Sequence, residues 1–273
     1  MHKFKALLLK DFWINKKTLL IPIWIMAGFY LLMIISGLFA YFNSSTEMNF
    51  MQFDGLESTS IIYYIANFSM ITLPGLFFLL FTINIMQSAL NEDRKQNCEL
   101  FHRSMPVSEW HICGSKFLVG LVGNWAVLIG IGIFNFIVMN SIMAFYLNFD
   151  FLHAFVGFFH SILLFLKTGL VLGSIAFFLS AIFKEKAFAR GIGILLLLWI
   201  VTKILNAIYG WNLPSIFDYL IEMTFNFQSL ENLSDSTTIP KNVILNLKTL
   251  YQIIISGALF ILSTLIYKNR EIR

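Results

Sequence analysis

Charge is scarce in this sequence of 273 residues: only 12% are Asp, Glu, Lys or Arg, against roughly 25% in an ordinary soluble domain. Cysteine occurs at just two positions, Cys98 and Cys113, which excludes a disulfide-stapled secreted scaffold. Catalytic signatures are missing. There is no G-x-x-x-x-G-K-[ST], no H-E-x-x-H and no G-x-S-x-G. Paired C-x-x-C or H-x-x-x-H units are absent too, so Cys98, His102, His111 and Cys113 read as ordinary residues of one polar loop, with no metal site. The long apolar runs contain no Asp or Glu. That absence excludes an aspartyl intramembrane protease and speaks against a carboxylate proton relay.

What is present is apolar. Hydrophobic residues make up 58% of the chain and thirty of them are phenylalanine, too many for one soluble core. Residues 18–46, 58–91, 117–149 and 249–267 carry no charge, and 151–183 and 191–217 are each interrupted by one lysine. A spanning helix needs about 20 apolar residues. The fold class is therefore all-α, a polytopic membrane protein of six transmembrane helices, at roughly 18–42, 60–90, 117–147, 154–183, 190–210 and 249–267. The second, third and fourth exceed the required length and must tilt, kink or project. Pro74 predicts a kink in the second, because it removes a backbone donor and crowds the preceding turn. Lys167 divides 151–183 into two pieces, each too short to span, so one helix with an internal charge is expected there. The first apolar stretch is too long for a signal-peptide core and reads as a retained span.

Basic residues set the orientation. Fifteen of the 19 fall on one side: Lys3, Lys5, Lys10, Lys16 and Lys17; Arg94, Lys95, Arg103 and Lys116; Lys184, Lys186 and Arg190; Lys268, Arg270 and Arg273. Only Lys241 and Lys248 lie opposite. Both termini are thus expected in the cytoplasm. The net charge of +4 is a topology signal, and no nucleic-acid partner is read from it.

Three polar stretches organise the single domain expected over residues 1–273. Residues 1–17 place Phe4, Leu7, Leu8 and Phe12 at helical spacing with lysines elsewhere, the pattern of an amphipathic helix lying at the membrane interface. Residues 91–116 form a cytoplasmic helix–turn–helix. Asn91 serves as its first N-cap with Glu92 and Asp93 in the first turn, Pro106 stops the first helix, and Ser104 or Ser108 starts the second. Residues 211–248 are an external loop, mixing an apolar part with a polar one, and an external re-entrant or interfacial helix pair is expected in it.

Within the membrane, Lys167 and His160 share a helical face, and a central lysine carries an insertion cost of about 2.5–3.5 kcal/mol. Each either faces a cavity or fastens two helices. The same two readings apply to Asn84 and Gln87 in span two, and to Asn135 and Asn140 in span three. Lys203 lies near an end of its span and can snorkel. Gly169-x-x-x-Gly173 permits a close helix approach.

The run Glu99-Leu100-Phe101-His102-Arg103-Ser104-Met105-Pro106-Val107-Ser108, followed by Trp110, Ile112 and Lys116, resembles the signature loop of ABC-2 type permeases. Arg94-Lys95 matches the basic pair upstream, and Lys116 falls ten residues after Pro106. The N-terminal amphipathic stretch, the six spans, the long fifth external loop and Lys-Glu-Lys-Ala-x-Ala-Arg at 184–190 are similar as well. Gln96 departs from the glycine often found there. The resemblance implies the transmembrane subunit of a type V-like ABC exporter in a bacterial cytoplasmic (inner) membrane. It implies a dimer with a second copy or a related permease, in contact with membrane lipid and two separate ATPase subunits. ATP and Mg2+ would be held by those subunits, and this chain would bind no cofactor and catalyse nothing itself. By the same resemblance Glu92, Arg94, Lys95, Glu99, Leu100, Phe101, Arg103 and Pro106 form the helix that docks on the ATPase. An ion-gradient-driven carrier or a non-catalytic membrane assembly protein are the alternatives. An ATPase that copurifies separates them.

Overall fold

The computed structural model describes residues 2–42, 59–91, 107–145, 149–183, 186–210, 215, 218–221 and 247–269. Their helices are α1 (His2–Phe42), α2 (Thr59–Met70), α3 (Thr72–Ser88), α4 (Glu109–Met143), α5 (Phe151–Ile182), α6 (Ala187–Tyr209) and α7 (Leu247–Asn269). Among the described residues six helical segments are long and apolar enough to cross a bilayer, with α2 and α3 together making the second. The protein is a multi-pass helical membrane protein.

The second span breaks where proline chemistry dictates. α2 ends at Met70 and α3 begins at Thr72. Met70 lies four residues before Pro74, and the proline ring clashes with that carbonyl and offers it no amide. The helix resumes once Gly75 N–H reaches the Ile71 carbonyl at 2.8 Å.

Other boundaries follow from caps. Ser108 has extended backbone and accepts from the Trp110 amide, starting α4. α4 then runs unbroken to Met143. Residues 109–116, expected as a second helix under the membrane, are instead the first two turns of the third span. Cys113, expected in that loop, is wholly buried in the core. Asp150 caps α5 by accepting from the His153 amide. The Lys186 backbone, just before α6, is left-handed (φ 46°), and Gly210 ends α6 in the same conformation (φ 65°).

The largest difference from expectation concerns the N-terminus. Residues 2–17 are not a separate element: α1 continues through Pro22 to Phe42 as one helix of 41 residues. Within these first turns Asp11 is 3% exposed and accepts from Ser115 Oγ of α4 at 2.5 Å. Packing along α4 therefore begins at the first turns of α1.

α5 is the central helix, touching α2, α3, α4, α6 and α7. Three apolar layers are stacked along it. Met86, Cys113, Leu121, Phe177 and Tyr267 form the layer nearest the N-terminus. Ile71, Phe78, Leu128, Ile162 and Phe165 form the middle one, and Tyr63, Met143 and Ala154 the far one. Lipid tails are as apolar as leucine, so this packing depends on close approach and dispersion. Gly157 lies directly against the Tyr64 backbone, where any Cβ would collide. Gly169 packs under the Phe78 ring, and a Cβ at Gly173 would stand 3.1 Å from Thr82 Cγ2. The small-residue pair read from sequence thus faces α3. By contrast, α6 buries only Ala187 and Gly191, leaving Ile194, Leu197 and Ile204 exposed along its length.

Candidate functional site

The residues expected to dock on a partner, Glu92, Arg94, Lys95, Glu99, Leu100, Phe101, Arg103 and Pro106, lie outside the described residues, as do Cys98 and His102. Both ends of that segment are described. It leaves α3 at Asn91 and enters α4 through Val107 and Ser108. Lys116, 9% exposed, reaches across from α4 and donates to the Ala89 carbonyl at 2.8 Å. A cation on the last carbonyls of α3 satisfies orphan acceptors and complements the helix dipole. Asn91 Nδ2 donates to the Phe183 carbonyl at 2.8 Å, tying the same corner to the end of α5. Its expected capping role falls on the undescribed side. Asp11 holds Ser115, and the Phe4 ring meets His111 edge-on at 5.7 Å, so α1 braces the start of α4. Four helices are thereby clamped together at the ends that bracket 92–106. Sequence singled out Lys116 within a motif. Asp11, Ser115 and Ala89 carried no signal, because a buried carboxylate in a lysine-rich stretch reads as a surface residue.

The membrane candidates lie apart from one another: Lys167, His160 and Asn135 bond across to other helices, while Asn84 and Gln87 pair within one. Lys167 Nζ donates to Thr249 Oγ1 at 3.0 Å. Thr249 is in the first turn of α7, so Lys167, central in the longer α5, is level with the start of the last span. His160, 3% exposed, shares a 3.2 Å hydrogen bond with the Tyr64 hydroxyl of α2. Asn135 Nδ2 donates to the Met70 carbonyl at 3.2 Å, and the Tyr30 hydroxyl donates to Asn135 Oδ1. Gln87 donates to Asn84 at 3.2 Å along α3. Asn67 and Asn140, the first not marked by sequence, exchange amide hydrogen bonds of 3.2 and 2.9 Å while buried. A polar residue in an apolar run was the available signal for each; its partner was not legible.

At the opposite end of the bundle, Asp150 joins the starts of α5 and α2. It accepts from Ser60 Oγ at 2.8 Å and from His153 Nδ1 at 2.6 Å. Burial pushes its carboxyl up, but the hydrogen bonds from Ser60 and from the His153 backbone and ring outweigh this and hold it below the usual carboxylate range. Lys203 reaches Asp218 at 3.2 Å, and Trp199 Nε1 donates to the same carboxylate at 3.0 Å. The Lys203 hydrogen bond leads the effects that hold Asp218 low. Among the described residues no three His, Cys, Asp or Glu gather into a metal-sized cluster. Comparison of the chain with protein-family models, with curated proteins and with solved structures finds no match.

Proposed function

We propose that this multi-pass membrane protein is the permease subunit of an ATP-driven ABC-2 type exporter, in which segment 92–106 docks on a separate ATPase. One observation carries the reading: Lys116, which completes the signature-like run begun at Glu99, is also the residue that clips α4 to the end of α3. A segment mounted between two clamped helix ends passes a push from a soluble partner into both helices as a rigid displacement. Asn91 extends the same push to α5, and Asp11 to α1. ATP and Mg2+ belong to the partner ATPase, and both termini face the cytoplasm of a bacterial inner membrane. A second permease copy completes the path, for which the exposed apolar side of α6 supplies surface.

The test is association. Glu99→Ala with Arg103→Ala should leave the protein inserted and its melting temperature unchanged, while copurification and stimulation of the cognate ATPase fall at least tenfold. Lys116→Met should lower both stability and stimulation. ATPase binding and stimulated turnover at the unmodified level in the Glu99/Arg103 variant would reduce the segment to a solvated connector and remove the reading.

A further inference from the structure

Among the six spans of the described residues, α6 is the one least held by its own bundle. Only 6% of its most apolar stretch is buried, against 17–56% in the others. What burial it has lies at its start, where Ala187 and Gly191 are its only buried residues. Gly191 sits so close to α5 that a Cβ there would come within 2.4 Å of Leu179 Cδ1. Beyond that anchor α6 runs beside α5 and α3, yet its least exposed face, Ile192, Leu195, Trp199, Thr202 and Leu205, is half-buried at best.

The backbone just before the anchor is unusual as well. Lys186 (φ 46°, ψ 43°) is the one non-glycine with positive φ among the described residues, and its side chain makes no capping hydrogen bond to α6. A left-handed L-residue is strained, and residues at element ends that absorb a change in φ and ψ are where hinges lie. The other end of α6 is tied differently from its neighbours. α2 is pinned to α4 through Asn67–Asn140 and to α5 through Tyr64–His160, and α7 to α5 through Thr249–Lys167. Lys203 and Trp199 of α6 bond instead to Asp218, which follows α6 in the chain and is half-exposed. That strut stiffens the arm without fastening it to α5 or α3.

We infer that α6 is a hinged arm, turning about Lys186 to Gly191 while its far end parts from α5 and α3. The inference rests on the packing of α6 alone and is independent of the proposed ATPase partner. The seam that opens runs along the half-buried face of α6 and gives the bundle a side opening within the membrane. From Gly191 to Ile208 the arm is about 26 Å long at 1.5 Å per residue, so a swing of about 10° carries its far end about 5 Å and its middle, at Leu198, about 2 Å.

Distances between pairs of spin labels test the swing in the full chain, held in lipid nanodiscs and diluted with unlabelled chain. Cys113 is wholly buried and stays in place, so Cys98→Ser alone clears the background. Val122→Cys on α4 is the reference, paired in turn with Arg190→Cys, Leu198→Cys and Ile208→Cys, all at exposed positions. The distance distribution should widen in proportion to distance from Gly191, by about 2 Å at Leu198 and about 5 Å at Ile208 relative to Arg190. Lys186→Gly, whose backbone passes freely between left- and right-handed regions, should widen the two outer pairs further and leave the Arg190 pair unchanged. Equal widths at all three positions overturn the inference, whether narrow or broad. So does a spread confined to Ile208, which would be fraying of the helix end. Outer pairs that do not respond to Lys186→Gly would remove the hinge from Lys186 and overturn it too.

Discussion

The Asn135 side chain donates to the Met70 carbonyl at 3.2 Å, and Met70 is the residue whose helical acceptor Pro74 leaves without an amide. The two lie 65 positions apart in the chain, and they meet because α4 passes the break with an amide facing it. The Tyr30 hydroxyl, donating to the same Asn135, orients that amide from α1. A kink inside lipid survives when a neighbouring helix satisfies the freed carbonyl.

This relationship predicts a coupled pair. Asn135→Leu should lower stability by about 0.6–1.7 kcal/mol, the range of interhelical hydrogen bonds in membranes. In a Pro74→Ala background the cost should shrink, because the substituted alanine supplies the amide itself. Unfolding in detergent for the four proteins of the double-mutant cycle checks it. Identical losses in both backgrounds would separate Asn135 from the kink.

Lys167 and Thr249 should couple in the same manner. Lys167→Met removes a costly half-buried charge within the span but also the donor that holds the start of α7. We expect lower thermal stability for Lys167→Met and for Thr249→Val, with a coupling of about 0.6 kcal/mol between them. Strictly additive losses would mean the two residues act apart. If Lys167→Met instead keeps its stability but loses export, the lysine serves a transport cavity.

Acid should loosen the Asp150 junction. Its folded-state pKa is depressed, so its contribution is present above the unfolded value near 3.9 and is lost as pH falls through the folded value. Stability should therefore be indifferent to this group between about pH 5 and 8 and should drop below about pH 4. Asp150→Asn keeps a capping acceptor and should flatten that acid limb. Asp150→Ala should lose about 1 kcal/mol at neutral pH through the missing cap. An unchanged acid limb in Asp150→Asn would rule the carboxylate out as its source.

Orientation is checked by labelling. Cysteines introduced at Ser44, Asn148 and Ser236 should react with an impermeant thiol reagent in intact cells, and Cys98 should not. The uneven distribution of lysine and arginine motivates this expectation. Reaction of Cys98 from outside would invert the arrangement.

Sequence by itself determined the number of spans, their order and most of their edges. Insertion into lipid is a nearly local sum over about 20 residues, so run length and flanking charge suffice. Pro74 acts on its own turn and was legible for the same reason, and Ser108 was legible as one of two candidate helix starts. Only the tertiary structure decided where α1 starts to pack, and which partner each membrane polar residue meets. Asp11 finds Ser115, His160 finds Tyr64, Asn67 finds Asn140 and Lys167 finds Thr249. Those pairings depend on the rotation and vertical register of each helix against its neighbours. Register in turn is set by contacts such as Gly157 on the Tyr64 backbone and Gly169 under Phe78, between residues far apart in the chain. A periodicity read along one helix contains no term for the helix beside it.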